Sequence, residues 1–386
     1  MIHGPRRPLG DVLEISRERI EPTESPRKSF NYVGLESIES HTGSLLSYHP
    51  TLGVEIKSTK NVFQRGEILY GKLRPYLNKV HLAREDGICS TDIYVLRPRQ
   101  QLIHPSYVAH YLRSRPVLDI VSNAMAGANL PRISPKSLLG IPIPVPPLPE
   151  QERVVNLLDE ADELRKLRAR ADRRTTELIP ALFHEMFGDG ESKYFLNVKL
   201  GEITEIKSGA GFPLDKQGRL DQPIPFFKVG DMNTQGNEWA MLIFQHTISE
   251  ATRRELGATL LPANSIVFPK VGAAIGTNKK RVISRPSCVD NNVMAIIPGD
   301  RITPEFLLAM LKAKNLTDFA SNSNPPSIRK TTVESWEIML PPVSLQKEFA
   351  NRVNETRKLE ADQAASRLRL EALFQSLLHR AFNEEL

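Results

Sequence analysis

The residues best able to do chemistry fall into short patterns, each of which lacks a part. Asn324-Pro325-Pro326-Ser327 matches the loop with which amino-methyltransferases hold an exocyclic amine, but a serine stands where an aromatic ring would stack on an extruded base. Gly272-Ala273-Ala274-Ile275-Gly276-Thr277-Asn278-Lys279 approaches a phosphate-binding loop, yet no Gly-Lys-Ser/Thr closes it. Glu55-Ile56-Lys57 and Glu205-Ile206-Lys207 have the acid-x-lysine spacing of some metal-dependent nucleases without an upstream aspartate to complete a metal site. The nine histidines include no ligand pair of the His-Glu-x-x-His kind. No catalytic, metal-binding or cofactor-binding residue is therefore expected in this chain, and it reads as a non-enzyme.

What remains is charge. Lys72, Arg74 and Lys79, and then Lys270, Lys279, Lys280 and Arg281, stand on loops that follow β-rich runs, where basic side chains can meet phosphates or guanine edges. Residues 1–145 hold 19 basic and 13 acidic side chains, a net +6, and residues 193–340 hold 18 and 14, a net +4. The intervening 146–192 carries −4 (7 basic, 11 acidic) and 341–386 is neutral (7 and 7). Positive charge concentrated in two separate segments suits a nucleic-acid partner.

The elements that would position these loops come in duplicate. Pro146-Pro147-Leu148-Pro149-Glu150-Gln151 returns as Pro341-Pro342-Val343-Ser344-Leu345-Gln346, and Leu182-Phe183-His184 with Phe187 returns at the same offset of 195 as Leu377-Leu378-His379 with Phe382. Upstream, Gly66-Glu67-Ile68-Leu69-Tyr70-Gly71-Lys72 resembles Asn264-Ser265-Ile266-Val267-Phe268-Pro269-Lys270, and Cys89 is paired with Cys288, at offsets that drift. A constant offset in one half of the unit and a drifting one in the other predict a loop-tolerant globular part followed by a helix. The predicted fold is mixed α/β (α+β), a pseudo-twofold internal repeat: domain 1–145, helix 146–190, domain 193–340, helix 341–386. Positions 154, 157, 161, 164, 168, 171, 175, 178 and 182 step alternately by three and four, as do 349, 352 (beside 353), 356, 359, 363, 366, 370, 373 and 377. The two helices are thus expected to pair as an antiparallel coiled coil through Leu157, Leu164, Leu178, Val353, Leu359 and Leu373. Gln151 and Gln346, in the first turns, are expected to cap free backbone N–H groups or to touch a partner, and Pro180 to kink or stop the first helix. Two domains held about 50 Å apart by such a rod would contact one duplex about one turn or slightly more apart and read two different half-sites.

Composition bounds these readings. A chain of 386 residues with 40% hydrophobic and 25% charged side chains is long enough for two or three globular domains. No apolar run is long enough to cross a bilayer and no signal core follows the first residues, so no membrane association and a cytoplasmic setting are expected. Cys89 and Cys288 are expected as reduced core thiols.

The residues also carry a family likeness. Gly66 to Lys79, Gly87-Ile88-Cys89-Ser90-Thr91-Asp92 and Pro146 to Gln151, set in the domain-helix-domain-helix repeat, resemble the specificity subunits of type I restriction-modification systems over essentially the whole chain. The resemblance implies two target-recognition domains reading a bipartite, asymmetric site in double-stranded DNA, with helices that set the spacing. It further implies docking of two methyltransferase subunits and, through them, motor-nuclease subunits, with S-adenosylmethionine, ATP and Mg held by those partners. The rival readings are a coiled-coil scaffold and a stand-alone DNA-binding protein without sequence selectivity.

Overall fold

The computed structural model describes residues 4–46, 49–124, 131–188 and 195–382. Two compact units emerge, Met1–Arg170 with Ala364–Leu386 and Ala171–Gln363. Each unit therefore combines one globular domain with the beginning of the helix that follows it and the end of the other long helix.

In the first unit the central sheet contains β1 (Leu13–Ile15), β2 (Ile68–Gly71), β3 (Val80–Leu82) and β4 (Ile93–Pro98), in the order β1-β4-β2-β3 and antiparallel throughout. Alternation along these strands feeds two cores, as the two-residue period of a strand requires. Ile68, Tyr70 and Leu96 face helix α1 (Pro105–Arg113), whereas Leu69, Ile93 and Val95 face a layer with Val33, Phe63 and Cys89. Helix α2 (Leu148–Phe187) leaves the domain, and its Val154, Val155 and Leu158 join the first of these cores.

The second unit repeats the plan with β5 (Thr204–Ser208), β6 (Ala240–Met241), β7 (Ile266–Pro269), β8 (Arg281–Ile283) and β9 (Val293–Pro298), in the order β5-β9-β7-β8-β6. Ile266, Phe268, Met294 and Ile296 face helix α3 (Pro304–Ala313), and Val267, Val293 and Ala295 face the opposite layer. Helix α4 (Val343–Phe382) completes the chain as described, and its Phe349 and Val353 enter this core.

Inside each unit the two long helices run in opposite directions. Along α1 from His104 to His110, contacts with α2 advance from Gln151 to Asp159, while contacts with α4 retreat from Phe382 to Phe374. Arg165 seals the first unit's pair with Glu371 at 2.6 Å and by lying 4.2 Å over the Phe374 ring. In the second unit Phe183 and Phe187, from the end of α2, meet Phe349 at 5.8 and 5.4 Å and Phe306 at 5.6 and 4.9 Å.

Several expectations are corrected. The buried stripe of α2 runs through Gln151, Val154, Val155, Leu158, Asp162, Thr175 and Ile179, whereas Leu157, Leu164 and Leu178 are exposed, at 39%, 47% and 47%. On α4, Val353 is buried but Leu359 and Leu373 are exposed. Val154, Thr175, Phe349, Val353 and Gln363 of the expected seam are buried, but the packed face also admits polar residues that find partners, such as Asp162, and leaves those leucines outside. Pro180 does not end α2: the carbonyl it would free belongs to Thr176 on the exposed side, and the aromatic contacts of Phe183 and Phe187 hold the last turns in place. Cys89 aligns with Val289 rather than Cys288, because Val33 and Phe227 pair with Cys89 and Val289 in the parallel ladders; the counterpart of Cys288 is Ile88. Both thiols are free and buried. The expected junction at 190–193 lies outside the described residues.

Candidate nucleic-acid interface

The basic loops sit on one backbone frame built twice. Where β2 ends, Lys72 donates its N–H to Asp92 O (2.9 Å) and its carbonyl accepts from Ile133 (3.1 Å), while Arg74 donates its N–H to Pro131 O (2.8 Å). Where β7 ends, Lys270 donates to Asn292 O (2.8 Å), its carbonyl accepts from Ile328 (2.9 Å), and Gly272 donates to Pro326 O (2.8 Å). Leu73 bridges Arg132, and Val271 bridges Ser327. The Asn324-Pro325-Pro326-Ser327 loop is thus a backbone partner of this frame. Each loop continues through a short 3₁₀ turn into a left-handed asparagine, Asn78 (φ 51°) or Asn278 (φ 52°), before the next strand begins.

On this frame the first unit displays an exposed Arg74 at a left-handed φ of 49°, a conformation that costs a non-glycine residue about 1 kcal/mol; the second unit has Gly272 there at φ 72°. Lys72 lies 5.3 Å over the Tyr94 ring, and Arg132 pairs with Asp92 at 3.2 Å. Lys79 is half-buried and donates to Leu35 O at 2.8 Å. In the second unit Lys270 donates to Ser208 Oγ at 3.1 Å and Lys279 to Asn233 Oδ1.

Lys280 is a different case. It is only 2% exposed, and its ammonium donates to Asn278 Oδ1 (2.7 Å) and Lys314 O (2.6 Å). Burial and the nearby Lys312 pull it down to about 8, so it ties the turn to α3 and leaves the set available to phosphates. Arg281 is half-buried, with Nη1 on Lys280 O at 2.9 Å, and burial lowers its pKa.

Gln151 and Gln346 are fully buried and do the same work twice. Gln151 Oε1 accepts from the N–H of His104 (2.8 Å), and Nε2 donates to Leu102 O (3.1 Å) and Pro146 O (2.7 Å). Gln346 accepts from Thr303 (2.9 Å) and donates to Arg301 O (3.1 Å) and Pro341 O (2.8 Å). They bind the loop before α1 or α3, not the free N–H groups of their own helix, and present nothing to a partner.

Residues missed by the sequence reading occupy the domain-helix junctions. His110, buried, donates from Nε2 to Asp159 at 2.7 Å and receives Arg113 at Nδ1 (3.1 Å); burial holds its pKa below the ordinary value. Arg165 joins Asp162 (3.0 Å) to Glu371. In the second unit the corresponding ground is held by Trp239, Lys312 and Arg357. The repeat could have disclosed these positions, because Arg113 and Lys312 share the offset of 199 that relates His104 to Thr303. Among the described residues no cluster of histidine, cysteine or carboxylate side chains could hold a metal, and no helix is long and apolar enough to cross a membrane.

Comparison with known proteins places the chain in a family. The sequence model of the type I restriction modification DNA specificity domain matches twice, over residues 6–171 and 193–363. The EcoDI specificity subunit of Escherichia coli is 33% identical over 180 residues, 46% of this chain and 39% of that relative. The EcoKI specificity subunit of Escherichia coli strain K12 is 24% identical over 328 residues, 76% of this chain and 68% of that relative. In fold, the S subunit of the type I system of M. genitalium superposes with a TM-score of 0.60 at 16% identity, covering 99% of this chain and 96% of that one. A chain from a solved type I restriction-modification system reaches 0.61 at 23% identity, covering 99% and 98%. With the specificity-domain match covering both repeats, the chain belongs to the type I restriction-modification DNA specificity family.

Proposed function

We propose that this chain is the non-catalytic DNA-recognition subunit of a type I restriction-modification complex. One observation carries the reading: in a chain whose two halves both match the specificity domain, the same backbone frame presents Lys72 in one half and Lys270 in the other. Two domains, 1–145 and 193–340, each take one half of a bipartite, asymmetric duplex site. Residues on the shared frame, Lys72 and Lys270 foremost, meet phosphates, while the flanking positions that differ, such as Arg74 and Gly272, adapt each domain to its own half-site. The antiparallel helices act as the spacer. Their exposed leucines, Leu157, Leu164 and Leu178 on α2 with Leu359, Leu368 and Leu373 on α4, supply apolar ground for methyltransferase subunits. Those subunits would bring S-adenosylmethionine, and the motor-nuclease subunits ATP and Mg.

Methylation profiling of DNA from cells expressing the methyltransferase subunit with and without this chain tests the proposal. A single bipartite, asymmetric methylated motif that vanishes without the chain is expected. Unchanged methylation overturns it.

A further inference from the structure

The junction of helix and domain is built from the same positions in both units but with a different distribution of charge. In the first unit α1 offers Arg113 and α2 offers Asp162, an attraction reinforced by Arg165 and Glu371. The offset of 199 turns Arg113 into Lys312, and the offset of 195 turns Asp162 into Arg357 and Arg165 into Glu360. The second unit therefore sets a lysine of α3 against an arginine of α4. Both rest on one ring: the Arg357 guanidinium lies 3.5 Å and the Lys312 ammonium 4.6 Å from the centre of Trp239.

Neighbours deepen the imbalance. Trp239 directly precedes β6, whose Ala240 pairs with Val282 of β8, so Arg281 lies beside it; Lys280 also faces this ground. Glu360 accepts from Arg357 Nη1 at 2.5 Å, and Glu238 faces Arg281. Even so, the Nε atoms of Arg281 and Arg357 are buried without a hydrogen-bond partner among the described residues. Burial against its surroundings and the charges of Arg357 and Arg281 bring Lys312 down to about 8, although a flank of the side chain stays exposed. Like charges gathered beside the open flank of Lys312 are the complement of an oxyanion.

The position of the cluster selects the oxyanion. Arg281 opens the strand that follows Lys279, and Val267 of β7 pairs with Arg281 three residues before Lys270, so the cluster continues the candidate nucleic-acid interface. We propose that Lys312 and Arg357, gathered at Trp239 and flanked by Arg281, form a phosphate-binding site for the backbone of duplex DNA that belongs to the second unit alone. It rests on the reading that this chain binds DNA.

The test is a salt titration of DNA affinity for the assembled complex carrying Lys312→Ala, with Lys312→Arg as a rescue and Lys358→Ala, on an exposed position of the same helix, as a control. Lys312→Ala should weaken binding equally on all sequences, flatten the log-log salt slope by roughly one and leave the methylated motif unchanged. Lys312→Arg should restore the slope, and Lys358→Ala should keep it. A slope equal to wild type in Lys312→Ala overturns the site. So does loss of the methyltransferase subunit at unchanged slope, which would assign the cluster to an acidic protein surface. If the wild-type complex itself lacks salt-dependent DNA binding, the DNA reading fails first, and that outcome is seen in the same experiment.

Discussion

The two domain-helix junctions hold the same backbone with different side chains. The first is closed by a hydrogen bond from His110 to Asp159 and by alternating charges, Asp162, Arg165 and Glu371 in a chain of ion pairs. The second is closed by rings, with Phe183, Phe187, Phe306 and Phe349 in mutual contact and cations laid over Trp239. What both retain is the buried glutamine with its three backbone bonds. Groups that satisfy the backbone are set by the fold, since an orphaned buried N–H or C=O is expensive. Side chains that satisfy one another can be exchanged as sets, and an exchange of this kind turns one junction into a neutral clasp and the other into a cationic patch.

The comparison breaks most readily at the helix ends. Phe187 and Phe382, related by the offset of 195, each close a core: Phe187 on Phe306 and Phe349, and Phe382 on Tyr107 and Tyr111 at 5.2 and 5.0 Å. Either phenylalanine changed to alanine should cost its own unit about 3–5 kcal/mol, read as a lowered denaturant midpoint for that unit alone. Equal loss in both units would deny that the cores are separate. The shared clamp comes next. Gln151→Ala or Gln346→Ala strands a backbone N–H and two carbonyls, and each should cost about 3 kcal/mol, with matching values if the clamps are equivalent.

The smallest effect separates the units by pH. Lys280, where the first unit has Val80, falls from 10.5 to about 8 on folding. Below about 8 both states hold the proton; between 8 and 10.5 the unfolded chain holds it and the folded chain has shed it, so stability rises with pH across that window. Between pH 7.5 and 9.5 its contribution should be about 2 kcal/mol, and Lys280→Val should remove that part of the rise and leave the part due to Lys312, also held at about 8, measured as denaturant midpoints. A wild-type midpoint that fails to rise over that range would refute the assignment.

Much of this architecture was legible because the chain states it twice. Gln151 with Gln346 and Phe187 with Phe382 announce themselves by a fixed offset, and the frame around Lys72 and Lys270 by similar words. The phase of the helix seam was legible only in part: Val154, Thr175, Phe349, Val353 and Gln363 are buried, whereas Leu157, Leu164, Leu178, Leu359 and Leu373 are exposed. Thr175 and Gln363 are buried at seam positions the stepping names, but Asp162, outside that seam, is buried because Arg165 receives it, and hydrophobicity assigns such a residue to the surface. Lys280 misled for the same reason: the carbonyl of Lys314, distant in sequence, joins Asn278 in turning it inward. The pairing of Cys89 with Cys288 failed because identity of residue outweighed register, which the strand ladders fix.

The closure of the first core by Phe382 bears on biosynthesis. Tyr107 and Tyr111 leave the ribosome long before their ring partner is made, so the unit begun first is the one completed last. Until residue 382 has emerged, the nascent chain carries an open aromatic socket in its first domain, whereas the second domain finds Phe187 already waiting. Translation thus orders the assembly of two nearly equivalent halves, and the time spent reaching the end of α4 is the time during which the first half stays unfinished.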